Sequence, residues 1–236
     1  MRFCCNPLRA ANSSGVLGNC KEWFAAHTGG PSYKDCATPD AFLDNLVQLA
    51  SGKNDAFMVK IFPPHHKKFH RKYGRDPIRL LSEKHDIQII TLSRRDTLGQ
   101  AISFAKAYQS KAWGGVEQKL REPEYDFDMI CRFFVQARHS AEHWQTYLDL
   151  QGIEAAHLIY EDLLPDGRAF LDIAAAHCGV GPLPPIQSNR PLQRNATSEE
   201  WRRRFQKDIQ NADIMPYLAG SKSIGERWRT LRRKLK

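Results

Sequence analysis

The sequence predicts an α/β domain built on a parallel sheet, and two observations carry that expectation. Short segments rich in Val, Ile and aromatics recur at "AFMVKIF" (56–62), "IQIITLS" (87–93) and "AAHLIYE" (155–161), the composition of buried strands. Stretches of helical period separate them, and strands alternating with helices form a parallel sheet covered on both faces. Taken in order, 56–62 is the first strand, with Lys60 inside it, and "PPHHKKFHRKYGR" (63–75) reads as a basic loop. The second strand, 87–93, runs into Arg94 and Arg95; Asp96 or Thr97 then caps a helix whose apolar face is Leu98, Ala101, Ile102 and Ala105. In "FDMICRFFVQARHSAEHWQTYLDLQG" the residues Phe127, Ile130, Phe134, Ala137, Ala141, Trp144 and Leu148 recur at threes and fours, an amphipathic helix that Gly152 ends. The third strand closes on Tyr160 and Glu161, and "SEEWRRRF" starts a late helix.

The 236 residues are enough for one good core, and no long Pro/Gly/Ser-rich linker divides them, so a single domain over 1–236 is expected. A hydrophobic share of 42% with 26% charged residues suits a soluble protein. No apolar run approaches a bilayer's thickness, and residues 1–20 lack a basic start followed by an apolar stretch. Six cysteines without a CxxC pair argue against a disulfide framework and a zinc site and fit a reducing cytoplasm. The net charge of +9 points to an anionic partner or substrate: nucleotide, polynucleotide or membrane.

The two arginines leave the carboxyl end of a buried strand just where a helix begins. Free N–H groups, a partial positive charge and guanidinium forks meet there, with the Ser103 hydroxyl two turns further along. That is the composition of an oxyanion site, with phosphate as the best occupant; the competing account pairs the arginines with surface carboxylates.

The segment "LSRRDTLGQAISFAKAYQSKAW" resembles the trehalose 2-sulfotransferase family, in which Arg-x-Asp precedes Gln-Ala-Val-Ser and then a Gln and a Trp. "SGVLGNCKEWF", "LIYEDLL" and "PLQRNATSEEWRRRF" are similar to further family stretches in the same order, from about residue 8 to residue 210. The resemblance implies a P-loop-like α/β fold that moves a sulfuryl group from 3′-phosphoadenylyl sulfate (PAPS) to a hydroxyl of a carbohydrate or glycolipid, with no metal. It implies Glu22 as general base for the acceptor hydroxyl and Lys60 aimed at the transferring or leaving oxygens. It places Arg94 or Arg95, with Ser103, on the donor's 3′-phosphate, Arg194 and Trp201 in the segment closing over the donor, and Gln109 and Trp113 against the acceptor. Homodimers are a further implication. Four of these residues also have a plainer account: Glu22 as a solvated loop glutamate, Lys60 as an edge-strand lysine, Trp113 and Trp201 as core.

The family's first strand and its Gly/Ser/Thr-rich phosphosulfate loop have no counterpart in "MRFCCNPLRAANSSGVLGN", which aligns only with the helix after that loop. Two expectations follow, a start upstream of Met1 or an inactive relative without the donor cradle. His65, His66 and His70 lack a carboxylate or cysteine to complete a metal set and are expected to be solvated or acceptor-facing. Residues 221–236 carry Ile224, Trp228, Leu231 and Leu235 among basic residues, either a docked terminal helix or one lying on an anionic membrane at the inner face. A nucleic-acid-binding protein is the competing class, but no helix-turn-helix, zinc-finger or RNA-recognition signature supports it.

Overall fold

The computed structural model describes residues 12, 16–52, 55–112, 120–163, 167–183 and 196–219. They form a mixed α/β protein in two compact units. One is drawn from the chain up to Arg95 and from 140–190, the other from 96–139 and from 191 onward.

In the first unit, helix α1 (Pro39–Ala50) starts where the Thr38 hydroxyl accepts the Ala41 N–H at 3.2 Å and Pro39 presets the first turn. Its spacing buries Phe42, Leu43, Leu46 and Ala50 at 2% exposure or less. Helix α2 (Pro63–Tyr73) adds Phe69, and the rings of Phe24, Phe42 and Phe69 meet with centroids 5.5–6.0 Å apart. Burying each of these rings is worth about 2–3 kcal/mol. Asp76 caps helix α3 (Pro77–Ser82) by accepting the Ile78 N–H at 2.9 Å.

The stretch 63–75 was expected to be a loop, and most of it is helix α2. Its signals are local: prolines occupy the first two helical positions, and Gly74 at φ 66° ends the helix in the left-handed region that glycine tolerates. Pro63, His66 and Phe69, three apart, form its buried side.

Strand β1 (Ile89–Ser93) pairs in parallel with β2 (Ala155–Ile159), in a register running from Ile89↔Ala155 to Ser93↔Ile159. Helix α6 (Arg168–His177) packs beside β2, and Leu17, Leu163, Phe170 and Leu171 form a second cluster joined by Met58, Ile90 and Leu158. Among the described residues the expected first strand, 56–62, does not form a ladder: it makes one parallel bridge, Lys21↔Val59, and one antiparallel bridge, Ser51↔Phe57. Its neighbouring segment turns away after that bridge. The Trp23 indole N–H donates back to the Asn19 carbonyl at 2.6 Å, and a 3₁₀ turn follows at Ala26–Thr28.

The second unit holds α4 (Thr97–Ser110), the first half of α5 (Phe127–Gln151), α7 (Ala196–Asp208) and a short α8 (Met215–Leu218). As the period predicts, Ala101, Ile102 and Ala105 are buried at 1% or less, and Leu98 packs beside them. They share a core with Ile130, Phe133, Trp201 and Phe205. Gly152, at φ 63°, follows α5 as expected.

Candidate active site

Glu22 and Lys60 are 38 residues apart and meet as an ion pair, Nζ to Oε1 at 3.1 Å. Both side chains are largely out of solvent, at 8% and 15% exposure. The local chain explains the meeting. The Lys21↔Val59 bridge and the Lys60 N–H on the Lys21 carbonyl at 3.0 Å hold the two segments side by side. Along 57–61, Phe57, Val59 and Ile61 pack on the aromatic cluster and Met58 on the other, so Lys60 has the parity of Met58. The Lys60 ammonium also lies 4.6 Å from the Phe62 ring centroid. On the Glu22 side, its carbonyl accepts the Ala25 N–H and the Thr28 hydroxyl, each at 2.8 Å, which fixes the turn carrying the carboxylate. The plainer accounts, a solvated loop glutamate and an edge lysine, do not fit this burial.

At the end of β1 the arginines meet the 3₁₀ turn Tyr160–Leu163 that follows β2. The Arg94 guanidinium lies 4.0 Å from the Tyr160 ring centroid. The Arg95 N–H donates to Glu161 Oε2 at 3.0 Å, and its guanidinium pairs with Asp162. Glu161 thus holds the residue after β1 by a hydrogen bond, and Tyr160 offers its ring face to Arg94. Arg95 makes the carboxylate pairing that was its alternative account. That pair is open to water, with both side chains more than half exposed.

In the second unit Asp96 caps α4 by accepting the Gly99 N–H at 2.8 Å, and its other oxygen takes Arg202 at 2.6 Å. Ser103 is half-buried in the middle of α4. Gln109 is buried and both ends of its amide are used: Nε2 donates to the Glu124 carbonyl at 2.7 Å and Oε1 accepts the Glu124 N–H at 2.9 Å. Trp201 is 3% exposed and meets Tyr125 edge to face. Both residues have a folding duty. Trp113, Arg194 and residues 221–236 lie outside the described residues.

The histidines depart from expectation. His70 is exposed, but His66 is buried, with Nε2 3.3 Å from Asp76 Oδ1 and Nδ1 3.1 Å from His143 Nε2. Tyr147 donates to Asp76 Oδ2 at 2.8 Å. Burial alone would raise the Asp76 carboxyl, but the bonds from His66 and Tyr147 bring it down to about 2. His65 lies half-buried near Glu22, and its Nδ1 atom is buried without a hydrogen-bond partner. Burial lowers its pKa to about 4, with the Glu22 charge pulling the other way. Reading 63–73 as a helix from its prolines and Gly74 would have put His66 on the inner face with Phe69. No group of three or more His, Cys, Asp or Glu among the described residues is placed to hold a metal.

A family model described as Stf0 sulphotransferase matches residues 17–208. The trehalose 2-sulfotransferase of Mycolicibacterium smegmatis is 24% identical over 139 residues, 58% of this chain and 48% of that protein. The trehalose 2-sulfotransferase of Mycobacterium tuberculosis is 22% identical over 216 residues, 82% of this chain and 80% of that protein. The chain therefore spans about half the length of the first relative and four fifths of the second.

Proposed function

This chain belongs to the Stf0 sulphotransferase family, and from that premise we propose that it transfers a sulfuryl group from PAPS to a hydroxyl of a saccharide acceptor. The observation that carries the reading is the buried Glu22–Lys60 pair. As the acceptor oxygen bonds to sulfur, its proton passes to the Glu22 carboxylate. The bond from sulfur to the bridging phosphate oxygen breaks, and its electron pair leaves on adenosine 3′,5′-bisphosphate. The sulfated saccharide and a proton on Glu22 complete the balance. By analogy with phosphoryl transfer, such a step needs positioning, a base and cations where charge develops, and no covalent protein intermediate. Lys60 holds the Glu22 oxygen at 3.1 Å, and in this proposal it is the cation that meets the charge developing on the transferring or leaving oxygens.

Arg94 and Arg95 are the proposed partners of the donor's 3′-phosphate, with Ser103 from α4. The two relatives are named for trehalose, and a disaccharide hydroxyl is accordingly the acceptor class we assign. A P-loop-like sheet order, Trp201 and Arg194 beside the donor and Trp113 and Gln109 beside the acceptor belong to the same proposal. The test is calorimetric titration with adenosine 3′,5′-bisphosphate and AMP. Saturable binding of the first that AMP does not reproduce, lost in the Arg94→Ala/Arg95→Ala double variant, supports the donor assignment; equal binding of the two nucleotides refutes it. Glu22→Gln should bind the bisphosphate as before while turnover falls by about 10²–10⁴-fold, the usual share of a general base. Full turnover in that variant would remove the base.

A further inference from the structure

Within the first unit a cleft of about 770 Å³ opens between α2, α3 and the second half of α5. Its lining includes Lys67, Arg71, Arg75 and Arg79, with Asp76 and Glu83 as the two carboxylates. Both carboxylates are already engaged. Asp76 holds His66, Tyr147 and the Ile78 N–H, and Glu83 lies 4.0 Å from Arg79. Among the described residues Lys67 and Arg71 have no ion pair or ring contact, and Arg75 acts only through space on Asp40. The cations of α2 outside the cleft differ: Lys68 lies 4.3 Å from the Tyr33 ring centroid and Lys72 5.9 Å from that of Tyr73. On α2, therefore, the described cations without an ion pair or ring contact are those that line the cleft.

The cleft stands on a fixed floor. His66 is 9% exposed, stacked on Trp144 with centroids 5.4 Å apart and met edge-on by Tyr147 at 5.0 Å. An ionised Asp76 takes the hydrogen of His66 Nε2, so the facing nitrogens of His66 and His143 share a single hydrogen across 3.1 Å. His143 lines the cleft together with these cations.

We propose that this cleft is a binding site for a phosphate or sulfate ester, gripped by Lys67, Arg71 and Arg75 over the His66–His143 floor. The site is separate from the residues assigned to the transfer and does not rest on that reading. Its volume fits a sugar or nucleotide ester or the headgroup of an anionic lipid, and exceeds the need of one bare oxyanion. Guanidinium forks supply the bidentate recognition that such groups select.

The experiment follows the ring resonances of His66 and His143 in nitrogen-labelled protein during titration with inorganic pyrophosphate at constant ionic strength. A saturable shift is expected, retained in the Arg94→Ala/Arg95→Ala variant, so that failure here and failure of the donor assignment are read separately. In Lys67→Gln/Arg71→Gln/Arg75→Gln, whose positions are all exposed, affinity should fall by at least about tenfold, the effect of one lost charge-assisted contact. Far-ultraviolet circular dichroism checks that this variant folds, and the single Arg71→Gln change serves if it does not. Sedimentation with phosphatidylglycerol vesicles, against phosphatidylcholine alone, distinguishes the source. Co-sedimentation lost in the triple variant assigns a lipid headgroup, and its absence with a saturable pyrophosphate shift assigns a soluble ester. A shift that never saturates, or that keeps its affinity in the triple variant, overturns the site.

Discussion

Replacing Lys60 with Met should cost about 3 kcal/mol of stability while keeping the length of the side chain. At 3.1 Å the attraction of two unit charges is about 5 kcal/mol at the effective dielectric that suits protein sites. Much of that is offset by desolvation of the pair, so the pair's net contribution is small; the cost of Lys60→Met comes from leaving the Glu22 carboxylate, 8% exposed, without its cation. Breaking a buried pair costs about 3–5 kcal/mol, and the 15% exposure of Lys60 places this one at the lower end. For a chain of this size that is a fall in Tm of roughly 6–12 °C. The assay is urea unfolding of four proteins: wild type, Lys60→Met, Glu22→Gln and the double variant. The double variant should lose less than the sum of the singles by about 1–2 kcal/mol, because it leaves no bare charge behind. A loss under about 1 kcal/mol for Lys60→Met, with no coupling, would mean the pair behaves as a surface ion pair. The physical ground for the proposed base and its cation would then be gone.

His65 should make stability fall as pH drops from about 6.5 toward 4. The unfolded chain takes up a proton near the ordinary value of 6.5, whereas the folded one does so only near 4, so the stabilisation is complete above 6.5 and is lost on the way down. Urea midpoints at pH 7.5 and 5 should differ in wild type and converge in His65→Phe; a wild-type protein with equal midpoints contradicts the burial of this ring. Asp96→Ala removes both the cap on Gly99 and the nearer of two carboxylate partners of Arg202, and should cost about 1–2 kcal/mol in thermal unfolding; a change under a few tenths would show that α4 does not depend on its cap. Asp162→Asn frees the Arg95 guanidinium at little cost in stability, because the pair is exposed, and on the donor assignment it should tighten adenosine 3′,5′-bisphosphate relative to AMP in calorimetry. An unchanged preference would separate Arg95 from the 3′-phosphate.

What the sequence made legible was whatever depends on near neighbours. The face of α4 follows from the spacing of Leu98, Ala101, Ile102 and Ala105, and the end of α5 from Gly152. That 87–93 and 155–161 belong to a parallel sheet follows from their composition and the helical stretches between them, and the pairing itself runs over Ile89–Ser93 and Ala155–Ile159. The segment 56–62 has the composition of a strand, yet a strand is a property of its neighbours. Among the described residues it has one bridge to Lys21 and one to Ser51, and no ladder. In α2 the run of basic residues outweighed Pro63, Pro64 and Gly74, although those three set the backbone and the charges merely occupy its wet side. The meeting of Glu22 and Lys60 is not legible in the sequence, because no local pattern pairs residues 38 apart.

The arginines at the end of β1 show why the two accounts of them were not exclusive. A guanidinium at a strand end needs counter-charge when no anion is bound, and the turn after β2 supplies it through Asp162, while Tyr160 offers Arg94 a ring face. Such a contact orients the fork without holding it tightly, because an exposed pair is worth about 0–1 kcal/mol. A doubly charged phosphate with bidentate geometry gains more from the same fork. The carboxylate pairing in the free protein is therefore compatible with anion binding, and it keeps Arg95 extended and near its working position at little energetic cost. Lys60 is the opposite case: its partner is buried, its position is fixed, and its charge cannot be withdrawn without exposing Glu22 to an uncompensated environment. In the proposed transfer, the exchangeable cations meet the part of the donor that is recognised, and the fixed cation stands beside the base where charge and proton move.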